Sequence, residues 1–286
     1  MKNPMVTLSG SRQLRSLGLG TWRMGESATQ RKSETAALRL ALDTGWRVID
    51  TADMYGDGGA EKIVGAAVGA ALRAGGLARD DLFVVSKVYP HNATARGTGE
   101  ACERSLARLG LDHLDAYLLH WRGSVPLEET VAALEDLRER GRIRAWGVSN
   151  FDLADMHELL AVPGGKNCVT NQIYYSLGAR GPQFELVPWL QRHGIMTMAY
   201  SPIDQGALAR NGAMKKLAAR LGAAPAQIAL AWLTGQADVM AIPKAVGEAH
   251  LRENFASQSL ALTAADLAEI DAAFPPPKRA SALAMR

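Results

Sequence analysis

Short apolar runs alternate along this chain with longer stretches in which apolar residues recur every three or four positions. Unbroken runs suit strands buried on both faces, and the longer period suits helices packed along one face. The runs predict strands at 16–20, 47–51, 82–87, 114–119, 143–148, 168–173, 196–200 and 239–242. Helical patterns fall near 33–44, 59–73, 98–109, 127–140, 152–161, 184–193, 212–235 and 248–257. In one of these, Val131, Leu134 and Leu137 mark a single face, Glu128 and Glu129 fill the first turn, and Arg138 and Arg140 close the last. Acids at the start and cations at the end complement the helix dipole. Gly45, Gly110, Gly141 and Gly194 each follow a helical pattern, as glycine caps do, and Thr263 is a suitable N-cap for one more helix. Val6-Thr7-Leu8 before Ser9-Gly10-Ser11 predicts an N-terminal hairpin.

Strand–helix units spaced by roughly thirty residues describe a (β/α)8 barrel, here with a leading hairpin and an extra C-terminal helix. No linker or low-complexity run divides the chain, so residues 1–286 are expected to form one domain. Pro275-Pro276-Pro277 begins an irregular tail.

Polar residues stand where successive strands end. Asp50 closes 47–51, Tyr55 follows in the loop, Lys87 closes 82–87 and His120 follows 114–119. In a parallel barrel these ends meet at one face, which holds the active site. Alone, Tyr55 reads as a loop residue, Lys87 as a snorkelling amine and His120 as a core histidine. Together they place a phenol, an ammonium held by a carboxylate, and an imidazole in one pocket. A nearby ammonium should lower the phenol's pKa, and His120 could orient a carbonyl oxygen or share its proton, so the set suits proton delivery to a developing alkoxide. A metal-dependent lyase or hydrolase using Asp50, Asp53 and His120 is the rival reading, disfavoured by Lys87 beside a divalent cation.

A proton donor for a carbonyl needs a hydride donor. Gly18-Leu19-Gly20 lacks a third glycine and Gly56-Asp57-Gly58 precedes the wrong element, so a Rossmann dinucleotide site is not expected. The later strand ends offer another bed. Ser149, Asn150 and Gln172 could hold a carboxamide, Tyr200 could stack on a flat ring, and Lys244 could meet a phosphate. Trp22, Tyr89 and Trp121, with Met54 beside Tyr55, could wall an apolar substrate pocket.

The formal charge of +3 and a pI near 8.9 are mild, with basic residues spread along the chain, which argues against nucleic acid or anionic membrane as partners. Hydrophobic residues make up 48%, yet no apolar run approaches a membrane span. Two cysteines, Cys102 and Cys168, outside any metal-ligand spacing, and no signal-like N-terminus point to a cytoplasmic protein.

These residues resemble the aldo-keto reductases, in particular the bacterial methylglyoxal and aldehyde reductase branch, over nearly the whole chain. The resemblance rests on Leu19-Gly20-Thr21-Trp22, Asp50-Thr51-Ala52-Asp53-Met54-Tyr55, Lys87, Leu118-Leu119-His120-Trp121, Gly147-Val148-Ser149-Asn150, Asn171-Gln172, Tyr200-Ser201-Pro202, Ile242-Pro243-Lys244 and Glu253-Asn254. It implies NADPH-dependent carbonyl reduction by a monomer, with NADH possible, and a small-molecule carbonyl as substrate. By the same resemblance Tyr55 is the general acid, Asp50 and Lys87 support it, and His120 orients the carbonyl. Cofactor contacts are implied at Gly20, Thr21, Trp22, Asp50, Ser149, Asn150, Gln172, Tyr200, Ser201, Pro202, Ile203, Pro243, Lys244, Ala245, His250, Glu253 and Asn254. Ala245 and His250 depart from the family's usual Ser and Arg at the 2′-phosphate, which weakens the expected NADPH preference and makes it depend on imidazole protonation. The short tail implies an open pocket of broad specificity. Some members of this family are cofactor-sensing subunits with little turnover, the alternative function.

Overall fold

The computed structural model describes residues 4–8 and 12–286. Strand β1 (Met5–Leu8) pairs antiparallel with β2 (Arg12–Arg15); the expected turn at Ser9-Gly10-Ser11 lies outside the described residues. Val6, Leu8 and Leu14 are buried in one cluster with Val48, Phe83 and Met196. Those three partners begin barrel strands, so the hairpin plugs the N-terminal end of the barrel and leaves the other end to carry chemistry.

The barrel strands are β3 (Leu19–Gly20), β4 (Val48–Asp50), β5 (Phe83–Val88), β6 (Leu114–Leu119), β7 (Ile143–Ser149), β8 (Thr170–Tyr174), β9 (Met196–Tyr200) and β10 (Val239–Ala241). Each runs parallel to the next in chain order. Leu17 bridges Ala241 in parallel, and the Gly18 and Gly20 amides donate to the carbonyls of Ala241 (2.9 Å) and Pro243 (3.0 Å). The first strand thus closes on the last. A Cβ at Gly20 would lie 2.9 Å from the Ile242 carbonyl, so this closure requires glycine there. Every residue of β5, β6 and β8 is buried, the polar ones included, as strands covered on both faces require.

The outer helices are α1 (Arg31–Thr44), α2 (Gly59–Arg73), α3 (Ala95–Leu109), α4 (Leu127–Glu139), α5 (Leu153–Ala161), α6 (Leu186–Arg192), α7 (Gly212–Leu221), α8 (Pro225–Thr234), α9 (Glu248–Ala256) and α10 (Ala264–Ala273). The single helix expected over 212–235 is two. Gly222 takes a left-handed φ of 61° and ends α7, and Pro225 starts α8, where a missing amide proton costs nothing. Gly45, Gly110, Gly141 and Gly194 all have positive φ, as caps require. Thr263 and Asp266 exchange side-chain-to-backbone hydrogen bonds in a capping box at α10.

Candidate active site

Lys87 lies one residue before the end of β5, and its side chain has no solvent exposure. A buried ammonium needs partners for its charge and its donors. Its Nζ donates to Oδ1 and Oδ2 of Asp50 at the end of β4 (2.8 Å each), to the Thr51 carbonyl (2.8 Å) and, more loosely, to the Tyr55 hydroxyl (3.3 Å). Tyr55 is placed by a tight turn after β4: its amide donates to the Ala52 carbonyl, and its own carbonyl accepts from Ala60 in α2. His120 follows β6 directly, its amide held by the Val88 carbonyl. Its ring stands edge-on to Tyr55 with centroids 5.7 Å apart, and its Nδ1 is buried without a partner.

Electrostatics correct one expectation. The Tyr55 phenol is raised above 10.0, because burial, with Asp50 and Asp53 nearby, outweighs the lowering by Lys87. Lys87 is itself raised: burial opposes its charge, but Asp50 and Tyr55 more than offset that. Burial and the Lys87 charge push His120 well below 6.5, so it is a neutral imidazole at neutral pH.

The later strand ends join this cluster. Asn150 ends the β7 turn at φ 60°, a left-handed conformation that asparagine tolerates. Its side-chain amide donates to the His120 carbonyl (3.2 Å) and Ser149 Oγ (3.1 Å), and its Oδ1 accepts from the Tyr200 hydroxyl (2.9 Å). Gln172 donates to Asp50 Oδ1 at 2.7 Å. Thr21 donates to the Asp50 carbonyl at 2.9 Å, next to Gly20 at the β3–β4 edge. The side chains of Asp50, Lys87, Tyr55 and Gln172 therefore form one polar network, and those of Asn150 and Tyr200 a second beside it; the Asn150 backbone amide, which donates to the Gln172 carbonyl at 2.8 Å, joins the two. Ser201 and the half-buried Ile203 flank the buried Pro202 after β9, and Pro243 and Ala245 are buried after β10. Lys244, His250 and Glu253 are exposed and Asn254 is buried. His250 Nδ1 lies 3.4 Å from Glu253 Oε2.

The aromatic wall forms in part. Tyr89 and Trp121 meet edge-on at 4.9 Å, and Trp121 lies 4.9 Å from His120. Trp22 and Met54 remain 42% and 41% exposed. Asp53, considered in the sequence only as a metal ligand, accepts the Tyr89 amide at 3.2 Å and ties that wall to the Tyr55 turn. Burial raises its carboxyl pKa. Both Asp50 oxygens are taken by Lys87, and among the described residues no group of three His, Cys, Asp or Glu side chains could hold a metal ion.

The aldo/keto reductase family model matches residues 16–274, from the end of the hairpin to the end of the last helix. The chain belongs to that family. It is 49% identical to the methylglyoxal reductase YeaE of Escherichia coli, with 100% of each chain covered. It is 36% identical to a glyoxal reductase of Bacillus subtilis, over 89% of this chain and 87% of that one. A crystal structure of an aldo-keto reductase from Klebsiella pneumoniae in complex with NADPH superposes with a TM-score of 0.95, at 44% identity and with 100% of each chain covered.

One site feature of this reductase was not legible in its sequence. The tail was expected to leave the pocket open, yet it returns to the barrel mouth: Leu283 packs on the core and the Arg286 amide donates to the Tyr200 hydroxyl at 3.1 Å. A proline-rich coil carries no periodic signal of where it will dock.

Proposed function

We propose that this chain reduces small aldehydes and ketones, methylglyoxal-like dicarbonyls and aromatic aldehydes among them, to alcohols, with NADPH as reductant and NADH as a weaker substitute. The observation that carries this is the Tyr55 hydroxyl 3.3 Å from the Lys87 ammonium and edge-on to a neutral His120. The methylglyoxal and glyoxal reductases among its relatives, and the NADPH complex of a structural neighbour, support the same reading.

The residues present fit a nicotinamide cofactor. Ser149, Asn150 and Gln172 bring a hydroxyl and two amides to one edge of the mouth, and Tyr200 brings a flat ring. Lys244 is an exposed cation without an ion-pair partner among the described residues, suited to a phosphate. Gly20, Thr21, Trp22, Ser201, Pro202, Ile203, Pro243, Ala245, His250, Glu253 and Asn254 border the rest of the bed. When bound, the cofactor supplies a hydride to the carbonyl carbon. Tyr55 donates its proton to the carbonyl oxygen, so no free alkoxide forms. The phenolate left behind is stabilised by Lys87, which Asp50 keeps charged and aimed. His120, neutral, hydrogen-bonds the same oxygen through an N–H. Trp22, Met54, Tyr89 and Trp121 line the approach.

We read residues 1–286 as one domain, a cytoplasmic monomer whose partner is its small-molecule substrate. Cys102 and Cys168 are free and buried, as suits a reducing compartment. No described helix is long and apolar enough to cross a membrane.

The test follows near-ultraviolet absorbance of NADPH, and separately NADH, with methylglyoxal and aromatic aldehydes. Wild type should consume NADPH faster than NADH, and Tyr55→Phe should lose about 10²–10⁴-fold in kcat while still binding NADPH. Tight NADPH binding with no turnover on any aldehyde would instead support a cofactor-sensing role.

A further inference from the structure

The last residues of the chain converge on the bed where the nicotinamide would rest. Asp204, two residues beyond Pro202, is buried and in a left-handed conformation (φ 48°). Its Oδ1 accepts the Tyr174 hydroxyl (2.6 Å) and Ser176 Oγ (2.7 Å), and its Oδ2 accepts the Gly178 amide (3.1 Å). Tyr174 in turn stacks on Tyr200, with centroids 5.8 Å apart and planes 20° from parallel. Arg286 grips both members of this pair. Its guanidinium lies 3.6 Å from Asp204 Oδ1 and 5.1 Å over the Tyr174 ring, and its amide donates to the Tyr200 hydroxyl. That hydroxyl donates to Asn150, so Arg286 and Asn150 use both of its hydrogen-bonding directions and hold the ring from two sides. The strap's path is defined upstream as well: a Cβ at Gly181 would lie 2.6 Å from Ser281 Oγ, and Leu283 packs on the core.

We propose that residues 281–286 form a strap that retains the cofactor, with Arg286 as a positioning residue acting through Tyr200 and Asp204. Ser201, Asp204 and Gln205 all carry left-handed φ values without being glycine (48°, 48° and 52°). Such a segment persists only where its surroundings hold it. Arg286 supplies one of those holds from outside the segment, and its side chain is 40% exposed, so solvent can compete for its contacts. Detachment removes one hydrogen bond from the Tyr200 hydroxyl and the ion pair from Asp204, leaving Asn150 on the first and Tyr174, Ser176 and Gly178 on the second, and so loosens one rim of the bed. Strap opening then sets the rate at which the cofactor leaves.

This inference rests on the proposed NADPH site, and the test separates the two. NADPH affinity is measured by tryptophan fluorescence titration, and its release by stopped-flow displacement with excess NADP+. The proteins compared are wild type, Arg286→Ala, Arg286→Lys and a chain ending at Ala280, each checked for a native thermal transition. Arg286→Ala should release NADPH roughly fivefold faster and bind it correspondingly more weakly, with the Michaelis constant for methylglyoxal unchanged. Arg286→Lys should recover part of the loss, since it keeps the charge but not the planar stack on Tyr174. The shortened chain, which also loses the backbone donor to Tyr200, should release NADPH fastest. Variants that release NADPH at the wild-type rate, or that change only the aldehyde constant, overturn the strap alone. Wild type that fails to bind NADPH overturns the site and the strap with it.

Discussion

The Lys87 ammonium lies 3.3 Å from the Tyr55 hydroxyl, with its other contacts, all at 2.8 Å, made to Asp50 and Thr51. The amine is therefore held by two shorter, stronger partners and approaches the phenol from a fixed position. It is ready to stabilise a phenolate without creating one in advance.

The pH dependence of reduction follows from that balance. Reduction needs the protonated phenol, and burial raises its pKa above 10.0, so Tyr55 should cause no loss of kcat until the pH exceeds 10. His120 is held well below 6.5, so its protonation should affect the rate only on the acid side of that value. A kcat profile that falls through the range 7–9, and loses that fall in Tyr55→Phe residual activity, would contradict the assignment.

Removing Lys87 leaves a buried carboxylate without its counter-ion. Lys87→Met should therefore destabilise the fold by about 3–5 kcal/mol, as well as removing most of the activity. The double variant Asp50→Asn, Lys87→Met should regain a good part of the stability and none of the activity. Urea unfolding and a kinetic assay on the same preparations separate the two effects.

His250 is exposed beside Glu253 at the start of α9, where the family usually carries an arginine. His250→Arg should lower the NADPH Michaelis constant about tenfold at neutral pH, the size of one added charge-assisted contact of about 1.5 kcal/mol. The NADH constant should not change. Equal responses from both cofactors would place residue 250 away from the 2′-phosphate.

Trp121 packs between His120 and Tyr89. Trp121→Ala should raise the Michaelis constant for aromatic aldehydes about fivefold, since stacked aromatic contact is worth about 1 kcal/mol beyond its area, while methylglyoxal should change little. A parallel rise for both substrates would mean the wall shapes His120 rather than the pocket.

Gly20 joins the first strand to the last. Gly20→Ala would press a methyl group against the Ile242 carbonyl, and should cost about 1–3 kcal/mol in a thermal or denaturant melt.

The order of elements was open to inspection in the chain itself, because the barrel strands are largely buried on both faces and most helices on one, α8 with its buried run Ile228–Thr234 excepted. Those two conditions write different hydrophobic periods into the sequence, and barrel topology then carries Asp50, Tyr55, Lys87 and His120 to one face whatever their separation. Boundaries that depend on a backbone conformation were less visible: a continuous helical pattern over 212–235 hides the break that Gly222 and Pro225 impose. Three further matters belonged to the folded molecule alone. The sign of the Tyr55 shift is a contest between burial and three charges of opposed sign, Lys87 against Asp50 and Asp53, which no residue list can decide. Gln172 reaches Asp50 across 122 positions because β8 and β4 face each other through the barrel lumen. The tail docks on Tyr200 and Asp204 through one arginine and one backbone amide, contacts with no period and no motif. Local pattern records what each segment buries; which distant groups share a hydrogen bond is set only when the barrel closes.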